Sequence, residues 1–118
     1  MENQINTYFE GRIAACQAAV VALHADNRPD EAVFEKIRMN VYDIFHTVYT
    51  AGGKVSGGDA VKHLDFLRKR LEEISGSWQT ALEAAQSHGN SEKAHIEQIK
   101  LDAVAEIRQK LLDWSEEK

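Results

Sequence analysis

Residues 58–88 read GDAVKHLDFLRKRLEEISGSWQTALEAAQSH, and Ala60, Leu64, Leu67, Leu71, Ile74, Trp78, Ala81 and Ala85 recur in them at alternating spacings of four and three. That alternation is the period of one long α-helix whose apolar stripe has to be buried against neighbouring helices. Gly76 interrupts the stretch within Ser75-Gly76-Ser77. A glycine in a helix interior costs roughly 1 kcal/mol against alanine, which weakens the case for one straight rod and leaves room for a bend there. The apolar register nevertheless continues from Ile74 to Trp78, which argues against a chain reversal.

On the N-terminal side of this helix lies GGKVSGG, residues 52–58. Its glycines and lysine lack the GxxxxGK[ST] spacing of a phosphate loop, and no strand precedes it. A helix stop at Gly52 and a capping box of Ser56 with Asp59 account for the same residues. On the C-terminal side, Gly89 ends the helix, and Asn90 or Ser91 caps a fourth. Ile96, Ile99, Ala103, Ile107, Leu111 and Trp114 form the main face of that fourth helix, broadened by Val104 and Leu112.

Two further helices precede these. The first is predicted from about Gln4 to Ala25, with Phe9, Ile13, Cys16, Val20 and Leu23 on its core edge. Ala15, Ala19 and Ala22 beside them would let a neighbouring helix approach closely. After the turn DNRPDE, the second is predicted from Pro29 to Ala51, because proline suits a first helical position and Asp30 and Glu31 oppose the helix dipole. Val33, Ile37, Val41, Ile44 and Val48 face one way on it, and Phe34, Phe45, Tyr42 and Tyr49 add aromatic bulk.

The expected fold is therefore all-α, an up-down-up-down four-helix bundle forming a single domain over residues 1–118. The third and fourth helices read as longer, about 30 and 27 residues against about 22, so the second hairpin should outreach the first by roughly 10 Å. An apolar overhang needs cover, and a second copy of the chain is the simplest source. A homo-oligomer, with a dimer favoured, is the structural expectation.

Composition narrows the function classes. The 14 basic and 19 acidic residues give a formal net charge of −5, which opposes binding to a nucleic-acid backbone. The lone Cys16 falls in an apolar stripe and reads as a small buried hydrophobe. The opening MENQINTY has no basic flank, and the longest apolar run, AAVVAL at 18–23, is far short of a membrane span. A cytoplasmic protein with no membrane or nucleic-acid partner is expected.

Chemistry is faint. Glu92-Lys93-Ala94-His95 matches the Glu-x-x-His element of di-iron bundles, and Asp43-Ile44-Phe45-His46 is its aspartate analogue. In an up-down-up-down bundle these lie at opposite ends, so the better-placed metal set is Glu10, His46 and His63. No nucleophile, base and oxyanion donor can be aligned, and no cofactor is implied. The leading expectation is a non-catalytic interaction or regulatory bundle that self-associates. Tyr42, Tyr49, Trp114 and Phe45 are its candidate interface residues, since aromatics commonly anchor interfaces. A metal-binding bundle, or one binding a small molecule between the alanines of helix one and the aromatics of helix two, is the alternative.

Overall fold

Four helices and no strand make up the described part of the chain, residues 2–116 of a computed structural model. They are α1 (Glu2–Ala25), α2 (Pro29–Val55), α3 (Ala60–Ser87) and α4 (Ser91–Glu116). Pro29 opens α2 without a side-chain cap, and Asp30 and Glu31 occupy its first turn. Asp59 caps α3 by accepting from the backbone N–H groups of Val61 and Lys62 at 2.9 and 3.2 Å. Asn90 does the same for α4, accepting from the Lys93 N–H at 3.1 Å.

The boundary of α2 differs from the sequence expectation. The helix does not stop at Gly52; it runs to Val55, and the Ser56 N–H closes its last turn on the Gly52 carbonyl. The turn is made instead by Gly57 and Gly58, whose φ values of 60° and 90° suit residues without a Cβ. Ser56 therefore finishes α2, and Asp59 alone begins α3. The four helices contain 24, 27, 28 and 26 residues, so they differ by at most four. At 1.5 Å per residue that is about 6 Å, and the expected long overhang of the second hairpin is absent. Helix α3 runs unbroken through Gly76.

Contacts set the packing. Arg12 meets Tyr42 and Asn6 meets His46, so α1 and α2 run antiparallel. Glu72 meets Arg108 and Trp78 meets Lys100, so α3 and α4 do too. Helix α2 packs on both α3 and α4, whereas α1 has its main backbone approach only to α2. The molecule measures 44 × 36 × 23 Å, its thickness matching two layers of helices with their side chains.

One core joins the two hairpins. Ile5 and Phe9 of α1, Val41, Tyr42, Phe45 and Tyr49 of α2, Leu64, Leu67 and Leu71 of α3, and Val104, Ile107, Leu111 and Trp114 of α4 pack in one cluster. Burying one large apolar side chain stabilises the fold by about 1.5–3 kcal/mol, so these residues dominate its stability. Cys16 is buried at the same interface, as its place in the stripe predicted.

The alanines of α1 do not line that core. Ala15, Ala18, Ala22 and Ala25 are all exposed, and with Gly11 they form a small-residue line on the helix face turned from α2. Ala15 and Ala22 are exposed and Ala19 is half-buried, so the three do not together face the aromatics of α2 as the small-molecule alternative requires. Helix α1 is apolar on two sides, and only tertiary packing distinguishes them.

Candidate functional site

Three places combine polar chemistry with shape. The first is a groove of about 520 Å³ on the outer side of α3 and α4. Leu64 and Leu111, both buried, form its floor; Val61 and Leu112 stand at its edges with 60 % and 56 % of their surface exposed. Asp65, Arg68, Glu72 and Arg108 border it, and Ser115 closes the lower end. Arg108 grips Glu72 with two hydrogen bonds, Nε to Oε2 at 2.8 Å and Nη2 to Oε1 at 3.0 Å. These bonds hold the Glu72 carboxyl below its ordinary pKa. Asp65 pairs with Arg68 and, at 3.0 Å, with Lys69, and its pKa is lowered by both. The lining charges are thus mutually compensated around an apolar floor.

The second place is a polar latch between α1 and α4. Tyr8 donates its hydroxyl proton to Glu106 Oε1 at 2.5 Å, and Arg12 Nη2 donates to the Tyr42 hydroxyl at 3.2 Å. Arg12 Nε also lies 3.0 Å from Glu106 Oε1, but off the N–H direction, making an ion-pair contact rather than a directed hydrogen bond. Burial, then the bond to Glu106, raises the Tyr8 pKa; burial raises that of Tyr42, opposed by the Arg12 bond. Both phenols remain neutral donors or acceptors near neutral pH. The arrangement ties helices together and leaves no reactive group aimed at an open cavity.

The third place is the corner between α2 and α3. The His63 ring stacks on Tyr49, 3.8 Å between centroids and 3° from parallel, and its Nε2 approaches the Tyr49 carbonyl. Gly52 permits this approach, since a Cβ there would stand 2.6 Å from Phe66 Cδ1 and 3.1 Å from His63 Cδ2. A pocket of about 250 Å³ adjoins the stack, bordered by Glu2, Thr50, Lys54 and Ser56 among others.

The residues singled out from sequence fall as follows. His46 lies with its Nε2 3.0 Å from Asn6 Oδ1 and its ring stacked on Phe9, while Glu10 is exposed. His63 is engaged with Tyr49, as above. Glu10, His46 and His63 do not converge, and among the described residues no group of three or more His, Cys, Asp or Glu is placed to hold a metal ion. At the opposite end, His95 sets its edge on Phe34 and His88 Nδ1 lies 2.7 Å from the Ala84 carbonyl.

Tyr42, Tyr49, Phe45 and Trp114 are 3 % exposed or less. Phe45 packs on Trp78, Tyr42 on Tyr8, and Trp114 on Tyr8 and Phe9. They anchor the contact between the two hairpins of one chain, so their faces are already covered. The aromatic excess on α2 is taken up by the core of the single chain.

Sequence reasoning missed Val61 and misplaced Leu112, which it assigned to the core face of the fourth helix. Their signal was modest: each is an apolar residue lying off its helix's main stripe. Glu106 gave no signal as a partner of Tyr8, because no local spacing links residues 98 positions apart.

No family model matches the chain, and no curated protein or solved structure does so either. Among the described residues, no helix is long and apolar enough to cross a membrane.

Proposed function

We propose that this chain is a non-catalytic interaction bundle that self-associates, with the α3–α4 groove as its interaction surface. The observation that carries the reading is the apolar hollow of about 520 Å³ flanked by the exposed Val61 and Leu112. Large apolar side chains exposed around a hollow gain by being covered, and interaction sites collect such surface. The reading takes the helices in up-down-up-down order, in keeping with the antiparallel pairs Arg12–Tyr42 and Glu72–Arg108, and takes the protein as cytoplasmic.

The chemical groups elsewhere support the same reading. Cys16 is buried, and desolvation raises its thiol pKa, which works against a nucleophilic thiolate. Tyr8, Arg12, Tyr42 and Glu106 are engaged with one another in the contact between helices. The test is sedimentation of the untagged chain over a concentration series. A reversible shift toward twice the chain mass, complete by tens of micromolar, is expected; a strictly monomeric chain at that concentration overturns self-association.

A further inference from the structure

We infer that the groove is occupied by the same groove of a second copy, about a two-fold axis running along it, so that α3 of each protomer lies over α4 of the other. This rests on the interaction reading above and adds the partner and its orientation.

Charge selects the axis. Two copies each carrying −5 repel on average, so a self-contact needs local compensation. Along the groove side of α3, Arg68 and Lys69 pair with Asp65, and Glu72 is held by Arg108, so the exposed Lys62 is the cation there without an ion-pair partner among the described residues. On α4, Arg108 is already bound to Glu72, and the exposed last turn carries Glu116. The antiparallel register that joins Glu72 to Arg108 brings Lys62 level with that last turn. An axis along the groove exchanges the walls at constant level, setting Lys62 of one copy beside Glu116 of the other. An axis across the groove would instead stack α3 on α3 and leave Lys62 of each copy without Glu116 beside it.

Shape agrees with the exchange. Each copy presents projections, Val61 and Leu112, next to the hollow floored by Leu64 and Leu111. A surface carrying both the projection and the recess is what a two-fold contact requires. The small-residue face of α1 is a weaker site for a second copy, because beside the single methyl groups only Val21 offers a large exposed apolar chain, and no charge on that face sets a register.

The test combines sedimentation with four variants, each checked for helix content by circular dichroism. Leu112 is exposed, so Leu112→Glu should fold normally and raise the dimer dissociation constant by at least about tenfold. Lys62→Glu and Glu116→Lys should each weaken the dimer, and the double exchange should restore it. Ala18→Glu, on the outer face of α1, should leave it unchanged. A monomeric wild type overturns both the interaction reading and this geometry. A wild-type dimer indifferent to Leu112→Glu, or broken by Ala18→Glu, overturns the groove alone and leaves self-association standing. A double charge exchange that fails to restore the dimer overturns the axis.

Discussion

Glu97 is the residue whose placement most departs from ordinary physical expectation. It is 6 % exposed; its Oε1 lies 3.2 Å from Lys100 Nζ, while its buried Oε2 has no hydrogen-bond partner. A half-satisfied buried carboxylate is destabilising relative to an apolar side chain of similar length. Glu97→Met is accordingly expected to raise unfolding stability by about 1 kcal/mol in urea titration. The partner Lys100 is not stranded by this change, because its side chain keeps 26 % of its exposure and rests over the Trp78 ring. A loss of stability in the variant would show that Glu97 is satisfied in solution. Nothing in the sequence marks Glu97 apart from the exposed glutamates, since its burial comes from how α4 is seated.

At the scale of the element, the glycines of the helices have opposite roles. Gly52 lies in the last turn of α2 under the rings of Phe66 and His63, where an added Cβ would collide. Overpacking of this kind costs about 1–3 kcal/mol and outweighs the roughly 1 kcal/mol gained in helix propensity. Gly76 lies inside α3, and apart from its chain neighbours and the helix's own backbone nothing stands within 4 Å of the Cβ it lacks. Gly76→Ala is therefore expected to stabilise the protein by about 0.5–1 kcal/mol, and Gly52→Ala to destabilise it by roughly 1 kcal/mol. Thermal unfolding of both variants beside the parent checks the contrast; equal effects would contradict the contact at Gly52. The sequence shows both as glycines within or beside helical patterns. It assigned Gly52 to a helix stop because the close approach of α3 that makes it useful is a tertiary fact.

For the molecule as a whole, the packing of the two hairpins holds three phenols neutral. Burial raises the pKa of Tyr8, Tyr42 and Tyr49, the last being pushed up to about 12 with help from Glu2. In the unfolded chain these groups ionise near pH 10. Each folded pKa lies above its unfolded value, so the unfolded state releases protons first as pH rises. The stabilisation is complete below about pH 10 and declines above it, for Tyr49 until about pH 12. Urea titrations from about pH 9 to about pH 11 should show falling stability, with a shallower fall in Tyr49→Phe. An identical slope in that variant would refute the contribution of Tyr49.

The all-helical fold, the place of Pro29, the burial of Cys16 and the main apolar stripes were legible in residue order, because helix periodicity and turn chemistry are local properties. The end of α2 was not, since continuing through Gly52 and Gly53 depends on the rings of α3 packed beside them. Nor did periodicity separate the two apolar sides of α1, because a helix with small or apolar residues on two sides has no preferred face until its neighbours arrive. The aromatics Tyr42, Phe45, Tyr49 and Trp114 read from the sequence as candidates for a contact with another chain, because residue type does not tell a core aromatic from an interface one. Only tertiary structure decided that they are core, because packing the two hairpins together covers them with the chain's own helices and leaves Val61 and Leu112 facing outward.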